Sequence, residues 1–297
     1  LYICLKYRTL EASELLKKVR KIEIKTRGLS HNIFAGEYHS SFKGQGMAFS
    51  EVREYQYGDA IRDIDWNVTA RLNKPYVKVF EEERELTVML LIDLSGSQSL
   101  GSRMRIKREI ITEIAATLSF SAIQNNDKIG VLLFSDKIEK LILPQKGRKH
   151  ILRIIRELLE FEPESNGTDI PLALEYFTNM IKRHCSAFLI SDFNDRHPLK
   201  DALSIANRKH DLIAIRVFDQ MESTLPNIGL IRVNDAETGA EEWIDTSSKA
   251  TRNAFEQNYR NRMNALDDAF TKSGVEHVNI RCDEDYVKPL MTLFKKR

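Results

Sequence analysis

The sequence predicts an α/β protein with a doubly wound, mostly parallel sheet and a small N-terminal β-rich subdomain. Apolar runs of strand length, such as residues 86–92 and 187–191, are typical of strands buried on both faces. Segments with helical spacing of apolar residues separate these runs. With 297 residues, 42% of them hydrophobic, the chain can build one large α/β domain and a smaller unit. Strands that alternate with helices in this way form parallel sheets with both faces covered.

Two regions precede the alternation. Residues 1–33 are expected to form an N-terminal helical segment, with an amphipathic helix at residues 11–25. Residues 34–85 mix glycines, aromatic residues and charges without long periodic runs, which favours short strands and turns rather than helices. This second region is the predicted β-rich subdomain, and residues 86–297 are the predicted α/β domain.

Within residues 86–297 the elements follow one another in a regular order. Strands are expected at residues 86–92, 128–135, 137–143, 187–191, 211–218 and 275–280, with a hairpin at residues 228–245. Helices are expected at residues 105–123, 150–161, 171–182, 198–209, 247–272 and 286–294. The helix at residues 105–123 is apolar on most sides, which predicts a largely buried helix. The helix at residues 247–272 has an apolar face that includes Tyr259 and Phe270, and Gly274 is well placed to end it.

Composition and charge restrict the classes of function. The net charge of +2 gives no overall electrostatic drive toward nucleic acid or anionic membranes. Three widely separated cysteines favour a reducing compartment over a disulfide framework. No apolar stretch is long enough to cross a bilayer. We therefore expect a cytoplasmic protein that has no transmembrane segment and does not bind nucleic acid.

Motifs of common enzymes are absent from the sequence. No HExxH pattern and no Gly-x-Ser-x-Gly elbow occurs, and no cysteine has a histidine partner in sequence context. These absences weigh against hydrolase chemistry. The chain is expected not to be an enzyme.

Oxygen-bearing side chains follow two of the predicted strands and precede one helix. Asp93, Ser95 and Ser97 come directly after the first apolar strand, and Asp192 follows the strand at residues 187–191. Thr168 lies in the loop before the helix at residues 171–182. Ligands of such sheets bind at the carboxyl ends of the strands. Hydroxyl and carboxylate oxygens, without thiolate or imidazole, select Mg²⁺, Mn²⁺ or Ca²⁺.

Simpler interpretations of the same residues remain open. Asp93 and the two serines could satisfy backbone amides in a strand-end turn. Thr168 or Asp169 could cap the following helix, and Asp192 could be an ordinary loop carboxylate. Metal binding is favoured because coordination needs the whole set of five residues.

The pattern Asp-x-Ser-x-Ser, followed by a later Thr and a later Asp, resembles the metal-ion-dependent adhesion site of von Willebrand factor A (VWA) domains. The resemblance implies that Ser95, Ser97 and Thr168 contact a metal through their hydroxyl groups. Asp93 and Asp192 would hold the metal directly or through water. An open coordination position would then accept an acidic side chain of a protein partner.

A second resemblance covers nearly the whole chain from about Ser13. Its motifs include Arg53-Glu54-Tyr55, Gly58-Asp59, Ile64-Asp65-Trp66, Ala70-Arg71 and the late run at residues 285–290. They resemble the DUF58 family of bacterial and archaeal proteins, in which such a block precedes a VWA domain. Family members are often encoded beside AAA+ ATPases of the MoxR type, which implies an ATPase partner and a chaperone-like or assembly role. Many members carry transmembrane helices before the block.

A dense charged cluster with one tryptophan lies in the predicted subdomain. Its members are Arg53, Asp59, Arg62, Asp65, Trp66 and Arg71. One hypothesis is a partner-docking surface, since Arg and Trp are frequent interface anchors. The favoured alternative is an internal ion-pair lattice that clamps this block onto the α/β domain, because charges this close usually satisfy one another.

Three functions follow from these patterns. The preferred one is a metal-dependent protein-binding module. The second is a Mg²⁺-dependent phosphate-processing enzyme, in which a strand-end Asp acts with the metal. It is disfavoured because aspartyl phosphotransferases of the haloacid-dehalogenase type usually have a second Asp where this chain has Ser95. The third is a structural scaffold whose metal site is empty.

Overall fold

The computed structural model describes residues 48–81, 86–96, 107–234 and 241–295. The chain divides into two units, a small one at His39–Leu86 and a large one that contains Thr87–Arg297. The predicted helical segment at residues 1–33 and the predicted metal ligand Ser97 lie outside the described residues. So does the expected tip of the hairpin at residues 237–239.

In its described residues, the small unit has an antiparallel strand pair, a 3-10 turn at Ile61–Asp63 and a short α-helix. Strand β1 (Ala48–Glu54) pairs with β2 (Tyr76–Glu81), and helix α1 (Trp66–Leu72) lies between them in sequence. The expectation of strands and turns rather than helices was therefore wrong at α1. The Asp65 side chain accepts hydrogen bonds from Asn67 N and Val68 N, which caps the helix. Seven residues make only two turns, too few for a periodic pattern to be read from the sequence.

A six-stranded sheet organises the large unit. Its strands are β3 (Thr87–Asp93), β4 (Lys128–Phe134), β5 (Ile138–Gln145), β6 (Ser186–Ser191), β7 (Asp211–Phe218) and β10 (Glu276–Arg281). Their order across the sheet is β10-β7-β6-β3-β4-β5, and only β5 runs antiparallel to its neighbour. The predicted α/β class with a mostly parallel sheet is thus confirmed.

Helices connect and cover these strands. They are α2 (Lys107–Gln124), α3 (Arg148–Glu160), α4 (Ile170–Met180), α5 (Lys200–Lys209), α6 (Lys249–Ser273) and α7 (Val287–Lys295). A separate hairpin of β8 (Leu230–Asn234) and β9 (Glu241–Asp245) precedes α6. Among the described residues, no helix combines the length and the apolar character that a bilayer span requires.

The core lies on both faces of the central strands. All six residues of β6 are buried, as are six of the seven residues of β3, so helices must cover both faces there. Helix α2 is buried around most of its circumference, as its apolar sequence predicts. Helix α6 differs, because only Leu266 and Phe270 of its apolar face are fully buried. Gly274, with a φ of 69°, ends α6 as predicted.

Candidate metal centre at the carboxyl edge of the sheet

The two central strands bring the predicted acidic ligands to one edge of the sheet. Strands β3 and β6 are parallel neighbours, with Ile92 in register with Ile190. Asp93 ends β3, and Asp192 follows the last residue of β6. Both side chains are buried, with Asp93 0% and Asp192 3% exposed. The structure therefore places two carboxylates together in a region shielded from water.

Asp93 is held by hydrogen bonds from both strands. Its Oδ1 accepts from the backbone N–H of Ser95 at 2.8 Å, and its Oδ2 accepts from the Ser191 hydroxyl at 2.6 Å. Burial, together with the negative charge of Asp192, raises the pKa of Asp93 to about 6, although the bonds from Ser191 and Ser95 act in the opposite direction. A cation between the two carboxylates would remove this electrostatic cost.

Asp192 already has one cationic neighbour, which the sequence patterns did not predict. The ammonium of Lys107, at the start of α2, lies 2.8 Å from Asp192 Oδ2 and 2.5 Å from Glu222 Oε1. The other oxygen, Oδ1, accepts from Asn194 N at 3.1 Å. Burial alone would lower the pKa of Lys107, but the two carboxylates hold it above its ordinary value.

A buried lysine could have been suspected from its position. Lys107 is only 1% exposed and belongs to a helix whose next turns are almost entirely buried. A buried ammonium group is costly unless a carboxylate pairs with it. A carboxylate contact was therefore to be expected for Lys107. The sequence does not say which carboxylate, because Asp192 is 85 residues away along the chain.

Thr168 supplies the observation that bears most directly on a metal. Thr168 is 7% exposed, and its Oγ1 is buried without a hydrogen-bond partner in the described part of the chain. Asp169, and not Thr168, caps helix α4 by accepting from Leu172 N at 2.8 Å. The hydroxyl is therefore not used as a helix cap, and a buried hydroxyl without a partner is costly.

The loops that carry these residues contact one another. Gly96 N donates to Asn166 O at 2.9 Å, which ties the turn after β3 to the loop that carries Thr168. Asp169 N donates to Ser135 O at 3.0 Å, which ties the same loop to the end of β4. Ser95 is 1% exposed beside Asp93. Four of the five predicted ligands thus lie on adjoining segments at the carboxyl edge.

The residues present fit a hard divalent cation. Carboxylate and hydroxyl oxygens are the donors that Mg²⁺, Mn²⁺ and Ca²⁺ prefer. The buried Thr168 hydroxyl has an unused lone pair, and Asp93 gains most from a nearby positive charge. Phe193, directly after Asp192, has a left-handed φ of 58°, a strained backbone of the kind that collects at functional sites.

A second acidic group lies beside this centre and was not singled out by sequence reasoning. Ligand atoms of Asp169, Asp195 and His197 all lie within 4.8 Å of one another. Asp195 accepts from Ile170 N at 2.7 Å and from both His197 N and His197 Nδ1. Its bond to His197 raises the pKa of that imidazole. These contacts account for the grouping as a network that holds the loops around α4.

The charged cluster of the small unit is resolved into separate local contacts. Arg53 and Asp59 form a two-pronged ion pair at 2.8 and 2.7 Å, and Asp65 caps α1. Arg62 and Arg71 are exposed, and Trp66 is 65% exposed. The docking surface and the ion-pair lattice both stay predictions for this cluster.

The match to known sequences establishes the family. The chain matches the family described as "Protein of unknown function DUF58" over residues 51–265, and it belongs to that family. The uncharacterized protein Rv1480 of Mycobacterium tuberculosis, strain H37Rv, is 29% identical over 232 residues, which cover 76% of this chain and 72% of the relative.

Two solved structures illustrate the similarity of the backbone fold. BatB from Bacteroides thetaiotaomicron, a conserved hypothetical protein, has a TM-score of 0.44 at 13% identity and covers 71% of this chain and 98% of its own. The SpRpn10 VWA domain has a TM-score of 0.39 at 9% identity and covers 72% of this chain and 95% of its own. Neither similarity bears on the function of this chain.

Proposed function

We propose that this protein is a metal-dependent protein-binding module. Asp93, Ser95, Ser97, Thr168 and Asp192 would hold Mg²⁺, or Mn²⁺ or Ca²⁺ in its place. The metal would supply an open coordination position for an acidic side chain of the partner. The observation that carries the proposal is the buried Thr168 hydroxyl without a partner, on a loop adjoining two buried carboxylates.

The partner that fits the family best is an AAA+ ATPase of the MoxR type. The support is the resemblance to proteins encoded beside such ATPases, and the proposed role is chaperone-like or in assembly. A pull-down with the purified ATPase in Mg²⁺ and in EDTA tests it. Binding that is equal in EDTA, or unchanged by Asp93→Ala, would contradict metal-dependent recognition of this partner.

A structural scaffold is the second candidate, and Lys107 favours it. The ammonium at 2.8 Å already neutralises Asp192, so the centre has a permanent counter-charge without a metal. In that case Lys107 and Ser191 hold the carboxylates of Asp192 and Asp93 without a metal. Added metal would then leave the stability of the protein unchanged.

Thermal unfolding separates the two candidates. A ligand present at a hundred times its Kd, and bound only by the native state, adds about 2.7 kcal/mol, which corresponds to roughly 5–10 °C in Tm for a domain of this size. We expect such a rise with Mg²⁺ or Mn²⁺ for the wild type and none for Asp93→Ala. Asp268→Asn, an exposed carboxylate on α6, is the matched control and should keep the full rise.

A further inference from the structure

A groove opens beside Asp192, between the loop that follows β6 and helix α6. Its volume is about 340 Å³, at the lower end of the ~300–1,000 Å³ found for ligand pockets. One wall is the turn at Asp192 and Asn194, and the opposite wall is the α6 face of Tyr259, Met263 and Leu266. The groove is therefore part polar and part apolar.

A buried arginine forms the floor of this groove. Arg216 is 5% exposed and lies in the buried run 212–217 of strand β7, whose other residues are apolar. Its guanidinium donates to the backbone oxygen of Asp192 at 3.3 Å and to the Tyr259 hydroxyl at 2.9 Å. Both acceptors are neutral. In the part of the chain that the structure describes, no carboxylate lies within ion-pair distance of Arg216, although burying an unpaired charge is costly.

A second arginine without a carboxylate partner among the described residues lies at the rim of the groove. Arg262, on α6, donates to the Asn194 amide oxygen at 2.7 Å and forms no ion pair with any described residue. The acidic side chains of the walls already have partners, since Asp192 and Glu222 bind Lys107 and Asp195 binds His197. Arg216 also lies over the rings of Phe218 and Tyr259, at 4.5 and 5.6 Å from their centroids, but these rings carry no net charge. The groove thus presents two guanidinium groups that have no carboxylate partner among the described residues.

We propose that this groove binds an acidic segment of a partner protein. A carboxylate of the segment would bond to Arg216 and Arg262, and an adjacent apolar side chain would pack on Met263 and Leu266. The inference rests on the proposed function only in taking the partner to be a protein. It adds a binding site whose contacts to the partner do not involve the side-chain oxygen atoms of the metal ligands.

The shape and chemistry of the groove favour a peptide over a free anion. Guanidinium groups match the planar geometry of a carboxylate and form charge-assisted hydrogen bonds with it. A free phosphate would satisfy the arginines but would leave the apolar α6 wall in water. An acidic residue beside a leucine or isoleucine covers both surfaces, which is the usual composition of a specific pocket.

The groove also adjoins the backbone of the proposed metal centre. Arg216 Nε donates to the backbone carbonyl of Asp192, which is itself a proposed metal ligand. An anion bound to Arg216 would therefore lie next to the proposed metal centre. A partner with two acidic residues could therefore reach both sites at once. Two weak contacts on one segment would then act together with a higher apparent affinity.

The test uses two fluorescein-labelled peptides and fluorescence polarisation. The probe is acetyl-Glu-Leu-Glu-Leu, and its neutral counterpart is acetyl-Gln-Leu-Gln-Leu. Titrations in EDTA exclude any contribution from a metal, so failure of the groove and failure of the metal centre are read separately. The variant is Arg262→Gln, and the matched control is Arg260→Gln, an exposed α6 arginine that pairs with Glu256.

We expect the acidic peptide to bind the wild type and Arg260→Gln equally, and Arg262→Gln about tenfold more weakly, as for the loss of a charge-assisted hydrogen bond. The glutamine peptide should bind at least tenfold more weakly than the acidic one. No binding of the acidic peptide, or equal binding of the two peptides, would overturn the proposal. Inorganic phosphate that binds with the same Arg262 dependence, while the peptide does not, would assign the groove to a free anion instead.

Discussion

A substitution of Lys107 tests how the charges at the carboxyl edge of the sheet compensate one another. Its side chain is 2% exposed and its ammonium lies 2.8 Å from Asp192 and 2.5 Å from Glu222. Lys107→Met keeps most of the side-chain volume and removes the charge. The perturbation therefore acts on the charge balance more than on packing.

Two effects of Lys107→Met should have opposite signs. Removing one partner of a buried ion pair costs about 3–5 kcal/mol, which is roughly 6–20 °C in Tm for a domain of this size. Metal affinity should rise, because the positive charge of Lys107 repels a cation bound by Asp192. Removing that repulsion should lower the Kd for the metal at least tenfold, which corresponds to about 1.4 kcal/mol.

The assay is differential scanning fluorimetry over a Mg²⁺ titration, with calorimetry for Kd. Lys272→Met, which breaks the exposed Lys272–Asp268 ion pair on α6, is the control and should change neither Tm nor the metal response. Glu222→Gln removes one of the two carboxylates that pair with Lys107. The ammonium group then pairs more strongly with Asp192, so this variant should bind the metal more weakly. An unchanged Tm in Lys107→Met, or a weaker metal response, would refute the reasoning.

Three further predictions concern the rest of the large unit. Gly130→Ala should lower the free energy of unfolding by about 1–3 kcal/mol in urea titrations, since its Cβ would lie 2.7 Å from Met89 Sδ and 2.8 Å from the β5 backbone; equal stability would show that β5 can move. Burial, with smaller contributions from the charges of Lys209 and His184, lowers the pKa of His210 to about 4, so the stability should be full above pH 6.5 and fall as the pH drops toward 4. His210→Phe should flatten that part of the pH profile, and an unchanged profile would contradict the assignment. Cys185 and Cys282 are buried with pKa values raised to about 12, so neither should react with a thiol reagent at pH 7 until the protein is unfolded; rapid labelling of either in the native state would contradict their burial.

Much of the fold could be predicted because buried strands have a distinctive composition. The apolar runs of β3 and β6 were correctly predicted to be strands buried on both faces. The order of strands across the sheet could not be read, since each crossover can place a strand on either side of the ones before it. Helix α1 was missed because its signal is a single cap, Asp65, and not a periodic pattern.

The candidate site was predicted unevenly for a physical reason. Asp93 and Asp192 stand at strand ends, and strand ends are fixed by local apolar patterns. Lys107 and Arg216 act through contacts with distant parts of the chain, which local patterns do not encode. Arg216 still leaves a trace in the sequence, because it is the one charged residue within the buried run 212–217 of β7. Such a residue needs a partner, and this rule indicates a site even where the partner is unknown.

The central claim is that Thr168 belongs to a divalent-metal centre, and a Mn²⁺ titration followed by electron paramagnetic resonance tests it most directly. Thr168→Val keeps the shape of the side chain and removes the hydroxyl that has no partner in the described structure. Asp195→Asn, in the neighbouring acidic group, is the control. We predict one bound Mn²⁺ per chain in the wild type and in Asp195→Asn, and weak or no binding in Thr168→Val at unchanged or higher Tm. Full Mn²⁺ binding by Thr168→Val, or none by the wild type, would contradict the claim.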